Sequence, residues 1–289
     1  MVYDIRPLRE TDKDDILEIA KHTWEGHDYL PYSFESWLKD KNSHTAAIEQ
    51  DGHVIALANL RVIEDGTTGW MEGLRVHPDY RGMGLAKKLT NHVVQTAISL
   101  KMERIRYTTA TDNLESLHLG DSVDMSRKFN LAVFWFEDPA QVSWRSSNEE
   151  IVSIDAKSLA PLLAETKLLP CGVIVLDWKA LDATPESLEK IGQSAPFWVT
   201  LQHGDMTALS MGFSRDASGG KQWQFTIYAK NENMFLDHLS HQLVLATKKK
   251  CKSIFCAYQE EFSPVMRSLE WTKIENEEDW ALTLLERVL

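Results

Sequence analysis

At 289 residues, 43% hydrophobic and 26% charged, the chain fits a globular protein of about two domains. A formal net charge of −12 argues against the basic surface that non-specific nucleic-acid binding needs, and is compatible with an amine-bearing small substrate. Three scattered cysteines, Cys171, Cys251 and Cys256, give neither a disulfide framework nor zinc spacing, so no metal and a reducing, cytoplasmic setting are expected.

The first seven residues hold no signal-peptide core, and no run of about 18 apolar residues occurs, so no membrane association is expected. Tyr3 to Arg6 alternates like a short strand that Pro7 ends. Thr11 can cap a helix with Asp12, Asp14 and Asp15 in its first turn and Ile16, Leu17, Ile19 and Ala20 as its buried stripe. A mixed aromatic and polar stretch at 24–31 leads to a short helix near 33–39 with Phe34, Trp37 and Leu38. Strands at 44–50 and 53–62 flank Asp51-Gly52, a hairpin signal. Glu64-Asp65-Gly66 turns into an apolar strand at 70–76, interrupted by Glu72. Pro78 then leads into the loop Arg81-Gly82-Met83-Gly84-Leu85-Ala86, after which Leu85, Leu89, Val93 and Ala97 recur at helical spacing. Strands at 104–110 and 131–136 follow, with a short element opening at Asn113.

Residues 138–158 are polar and read as a connection between a first domain at 1–137 and a second at 159–289, with a short strand at 142–144 or 151–153 left open. The second domain repeats the first in outline. His203-Gly204 stands like Asp51-Gly52, and Trp223–Ala229 like the strand at 70–76. A helix near 233–249 follows, then strands at 253–257 and 280–285. Asn231-Glu232-Asn233 replaces the glycine loop, so the second half is expected to be degenerate and not to hold the same ligand. The fold class is α/β, a mixed sheet with helices, in two tandem copies.

Strand, glycine loop and helix together make an anion cradle. Glycines let backbone N–H groups approach a ligand closely, and the helix start adds unpaired donors at the positive end of its dipole. The loop is not a Rossmann fingerprint, because a third glycine is missing and the acidic residue about 20 positions on would fall near Glu103, after the helix. It is not a P-loop either, since no Gly-Lys-Ser/Thr follows.

The Arg-Gly-x-Gly-x-Ala pattern at 81–86, after a strand ending Val76-x-Pro78, resembles motif A of the GNAT superfamily of acetyl-CoA-dependent N-acetyltransferases. Three further stretches resemble the animal histidine N-acetyltransferase family: Asp28-Tyr29-Leu30-Pro31 with Ser36-Trp37-Leu38, Val54-Ile55-Ala56-Leu57 before Val62-Ile63, and Glu72-Gly73-Leu74-Arg75-Val76. In the second half Asp177-Trp178 extends that resemblance. It implies tandem acyl-CoA N-acyltransferase folds, acetyl-CoA as co-substrate, and direct acetyl transfer to the α-amine of an amino acid in a ternary complex. Histidine is the acceptor in characterised members; no residue here specifies it. A protein or peptide acetyltransferase and a non-catalytic coenzyme A sensor are the alternatives. Oligomeric state leaves no mark in the sequence.

The resemblance also implies roles. Arg81, Gly82, Met83, Gly84, Leu85 and Ala86 would hold the pyrophosphate, mainly by main chain. Leu74 and Val76 would pair with the pantetheine amides, and the Leu74 N–H would face the developing oxyanion. Asn113 and Ser116 match the cofactor-side pattern of the fourth helix. Glu72 is the candidate base, expected to be tuned by burial in an apolar strand, or else to orient the substrate ammonium. His27, Asp28 and Tyr29 are candidates on the substrate side. Arg75 either meets a substrate carboxylate or forms a surface pair. The family's tyrosine seven residues after Asn113 is missing, Gly120 standing there, so the general acid is unassigned, with His118 or water as substitutes.

Overall fold

A computed structural model describes residues 3–23, 28–142, 149–217, 219–272 and 280–289. They group into two compact units that are not contiguous in sequence. One holds Met1–Tyr107, Asn113–Arg127 and Leu285–Leu289; the other holds Thr108–Asp112 and Lys128–Leu284.

The first unit runs through β1 (Ile5–Pro7), α1 (Lys13–Lys21), α2 (Leu30–Lys39), β2 (Ser43–Gln50), β3 (His53–Ile63), β4 (Thr68–Val76), α3 (Leu85–Ser99), β5 (Arg104–Ala110) and α4 (Leu114–Asp121). Its strands lie in chain order, β1 to β4 antiparallel and β4–β5 parallel. Side chains alternate across a strand, so β3 serves two cores. Ala56, Ala58 and Leu60 pack with Leu85, Leu89, Val93 and Ala97 of α3. Leu57 packs with Ile16 and Ile19 of α1 and Phe34 and Trp37 of α2. Asp12 is a buried partner of Arg6, at 2.8 and 2.9 Å, rather than a solvated first-turn charge.

The second unit contains β6 (Ser126–Glu137) from Lys128 on, β7 (Val152–Ile154), α5 (Ala156–Glu165), β8 (Val173–Leu176), β9 (Lys179–Asp182), α6 (Pro185–Gly192), β10 (Phe197–Gln202), β11 (Asp205–Ala217), β12 (Gly220–Ala229), α7 (Glu232–Lys248), β13 (Ser253–Gln259) and α8 (Ser263–Ser268). β14 (Ala281–Val288) ends the chain's elements. The order is β7-β10-β11-β12-β13-β6, with β12–β13 as the parallel pair. This repeats the first unit, with the β8–β9 hairpin added. The repeat extends to turn chemistry: Asp51 and Gly52 have φ of 53° and 83°, His203 and Gly204 of 54° and 90°, both left-handed as a two-residue hairpin turn requires.

The division by contacts differs from a cut near 137. β6 pairs with β13 from Leu131 to Glu137 and buries Ala132 and Phe134 in the second unit's core. Conversely, Leu285–Leu289 belong to the first unit, where Glu286 pairs with Arg106 at 2.7 Å and the Leu289 N–H donates to Glu103. Helices α5 and α6 and strands β8 to β10 were not anticipated in detail. Val142 is not in a strand, 143–144 lie outside the described residues, and the strand at β7 takes the second of the two open positions. Among the described residues, no helix is long and apolar enough to cross a membrane.

Candidate active site

The site starts from a defect in β4. Leu57 lies opposite Arg75 and Asn59 opposite Glu72, so two steps on β3 match three on β4. The extra residue is a β-bulge at Gly73 and Leu74, with Gly73 at a φ of +68°. An isolated glycine inside a strand pattern is the sequence signal for such a bulge. The bulge puts Glu72 and Arg75 on one face, although period 2 would separate residues three apart.

The second feature is a fork. β4 and β5 pair only at Thr68–Arg104, Gly69–Ile105 and Trp70–Arg106, while β4 runs on to Val76. The His77 N–H donates to Ile55 of β3 at 2.8 Å. Amide directions alternate along a strand, so the Leu74 and Val76 N–H groups point away from β3, to the parted edge. Their side chains pack on the α3-side core.

The third feature is the loop after β4. Gly82 and Gly84 have φ of +75° and +76°, and a Cβ on either would meet nothing within 4 Å. Arg81 to Gly84 are exposed, and Gly84 is the N-cap of α3. Lys88 is the first residue of α3 to donate to Gly84, at 3.0 Å, so the N–H groups of Leu85, Ala86 and Lys87 face outward at the positive end of the helix. Left-handed glycines, open space and bare amides fit a pyrophosphate. Arg81 curls back, its Nε 3.4 Å from the Val76 carbonyl.

Among the described residues, the second unit lacks each of these parts. β12 and β13 stay paired from Gln222–Ser253 to Ile227–Tyr258, and the Ala229 N–H donates to the Gln259 side chain at 2.7 Å. Asn231 caps α7 through its own side chain, accepting from the Met234 N–H at 3.0 Å.

Glu72 does not stand in apolar surroundings. Its Oε1 accepts from Asn59 Nδ2 at 2.9 Å and Arg61 Nε at 3.0 Å, on the face that carries α1 and α2. The expectation of burial in an apolar strand is corrected by these two donors from β3. Arg75 is paired inside the fold rather than at the surface. Its Nε and Nη2 donate to the two oxygens of Asp28 at 2.8 and 3.0 Å, and the Asp28 side chain is fully buried. Tyr29 lies under the Arg75 guanidinium, 5.3 Å from it, and burial pushes its phenol up to about 12. His27 lies outside the described residues.

On α4, Asn113 is spent as a cap, its Oδ1 accepting from the Ser116 N–H at 3.1 Å. The Ser116 carbonyl accepts from the Tyr107 hydroxyl at 2.7 Å. A Cβ on Gly120 would lie 2.5 Å from that hydroxyl, so Tyr107 of β5 occupies the space a side chain at 120 would need. His118 is exposed. The sequence reading missed Tyr107, and also a cluster at the end of β4 where His77 meets His22 and Tyr80 edge-on at 5.9 and 5.8 Å. Of the cysteines, Cys251 and Cys256 are buried, which raises both thiols, and Cys171 is exposed.

Residues 13–120 match the acetyltransferase (GNAT) family, and residues 153–259 match the histidine N-acetyltransferase C-terminal family. The first of these matches gives the chain a GNAT domain at residues 13–120. Its relatives include the histidine N-acetyltransferase of Oreochromis niloticus, 27% identical over 222 residues, 70% of this chain and 66% of that protein. Another is the histidine N-acetyltransferase of Scomber australasicus, 25% identical over 272 residues, 84% and 81% of the two chains. The chain thus spans just under two thirds of the first relative's length. In fold it is similar to a tandem GNAT protein from the clavulanic acid biosynthesis pathway, with a TM-score of 0.59 over 99% and 98% of the two chains at 12% identity. The two units are tandem GNAT-like folds, and the fork, bulge and glycine loop sit in the first.

Proposed function

We propose that this GNAT protein moves the acetyl group of acetyl-CoA onto the α-amine of a free amino acid, with histidine the first acceptor to try because the named relatives act on it. The observation that carries the reading is the fork: β4 leaves β5 after Trp70 and presents the Leu74 and Val76 amides beside a bare glycine cradle. Acetyl-CoA supplies the acyl group as a thioester. The chain's residues bind and orient it, Gly82 to Ala86 at the pyrophosphate and Val76 and Leu74 along the pantetheine arm.

At neutral pH an amino acid's amine is an ammonium ion, so a proton must leave before nitrogen can attack. Glu72 accepts that proton, directly or through one water, held in place by Asn59 and Arg61. The nitrogen lone pair bonds to the carbonyl carbon while the Leu74 N–H donates to the oxygen as it gains charge. The carbon–sulfur bond breaks with its electron pair on sulfur, and the nitrogen passes its second proton to water to leave a neutral amide. The thiolate takes a proton from water, because the Tyr107 hydroxyl already donates to Ser116. No cysteine belongs to the first unit, so no acyl-enzyme is invoked.

Release of free thiol from acetyl-CoA, screened over the free amino acids and one basic peptide, tests this reading. Turnover with a free amino acid, histidine foremost, is the expected result. Turnover with the peptide alone, or acetyl-CoA binding with no turnover at all, overturns it.

A further inference from the structure

The bulge in β4 is gripped from one side by three residues. The indole of Trp37 lies against Gly73, where a Cβ would come within 2.2 Å of Cη2. The Gly73 N–H donates toward the Tyr29 hydroxyl. Arg75 donates through Nη1 to the Leu74 carbonyl at 2.9 Å, while its other two nitrogens are fastened to Asp28. The two peptide groups that flank the one carrying the Leu74 N–H, Glu72–Gly73 and Leu74–Arg75, are therefore both contacted by these side chains. The Leu74 N–H points away from β3, to the parted edge.

A bidentate guanidinium–carboxylate pair with a fully buried acid is a rigid connector. It costs desolvation to build and contributes geometric definition more than stability. Its third contact is a main-chain carbonyl at the one kink in the strand. We propose that Asp28 and Arg75 are positioning residues that pre-aim the Leu74 N–H at the thioester oxygen, rather than contacts for the amino-acid substrate. This rests on the acetyl-transfer reading for its kinetic consequence only. Donors fixed in advance need no reorganisation as charge develops, which is why such a device raises kcat without raising affinity.

The test compares Arg75→Lys, Arg75→Met and Asp28→Asn with the native protein, using two readouts. In the first, kcat falls up to about 100-fold while KM for acetyl-CoA and for the amino acid stays within about threefold, the cost of a misplaced group. Lysine does not rescue, because an ammonium cannot hold two carboxylate oxygens and a carbonyl in one plane. In the second, the Leu74 amide is followed by NMR in leucine-labelled protein, its signal assigned by its loss in Leu74→Met. The native signal shifts on addition of acetyl-CoA; in the variants it is already displaced before addition. A rise in the amino-acid KM with kcat kept would mean Arg75 touches substrate and would overturn the proposal, as would a Leu74 signal unchanged by all three substitutions. Should Arg75→Met fail to fold, Asp28→Asn carries both measurements, since it keeps the side-chain shape. If the native protein turns over no acceptor, the acetyl-transfer reading fails alone, and the Leu74 signal still decides the positioning.

Discussion

The α-carbon of Gly73 rests against the ring of Trp37, so closely that a Cβ there would lie 2.2 Å from one ring carbon and 3.0 Å from the next. Trp37 is buried and belongs to α2, so the helix fixes the depth of the kink in β4. Gly73→Ala meets two penalties, a left-handed φ and a clash with a packed indole. Together they cost about 2–5 kcal/mol. A fall of that size in unfolding free energy by urea titration is expected, and Trp37→Leu in the same chain should recover part of it, because the smaller side chain gives the new methyl room.

Gly84 differs from Gly73 in having open space at its Cβ position. Gly84→Ala costs only the left-handed backbone penalty, about 1–2 kcal/mol. Its larger effect is on binding, because the methyl stands where a pyrophosphate would approach the α3 amides. Calorimetry should show acetyl-CoA binding weakened by about tenfold, equivalent to about 1.4 kcal/mol. Equal affinity for both proteins would place the nucleotide elsewhere.

Glu72→Gln keeps the side chain's size and its capacity to accept from Asn59 and Arg61 while removing the charge. A base supplying about 10²–10⁴-fold should be missed to that extent in kcat/KM. The acidic limb of the pH–rate profile should flatten at the same time. A profile of unchanged shape and height would assign the proton transfer to another group.

His238 makes a prediction for the second unit. It is fully buried on the inner face of α7, its two ring nitrogens 3.0 Å from Thr200 Oγ1 and 2.8 Å from Ser210 Oγ. Burial, with the nearby charge of His241 second, lowers its pKa from 6.5 to about 3. An unfolded histidine takes a proton below about pH 6.5, which the folded one refuses until far lower pH. Stability is therefore complete above that value and falls as pH drops from 6.5 toward 3, by up to about 1.4 kcal/mol per pH unit for one proton. In His238→Gln the slope of unfolding free energy against pH should be shallower over this window. The same slope in both proteins would contradict the burial of the ring.

Much of the outline was legible in the chain. The hairpin turns at Asp51-Gly52 and His203-Gly204, the four-residue spacing from Leu85 to Ala97, and the loop at 81–86 are local signals, because each depends on backbone preferences within a few residues. The loss of the loop at Asn231-Glu232-Asn233 was equally readable. The fork is set by the register of β4 and β5, which part after Trp70.

What local signals could not give is where the polar side chains of β4 point. Strand periodicity puts Glu72 and Arg75 on opposite faces; the bulge puts them on one, and whether a glycine in a strand makes a bulge depends on what presses on it, here Trp37 from α2. Asp28 and Arg75 are 47 positions apart, and Arg106 and Glu286 are 180 apart. Such pairs form only after distant strands have found their register. So the sequence by itself determined most elements of the first unit and the glycine loop after β4, since these follow from neighbouring residues. Tertiary structure alone decided which strand completes which unit, why no side chain fits at Gly120, and that Arg75 beside Leu74 is paired with Asp28.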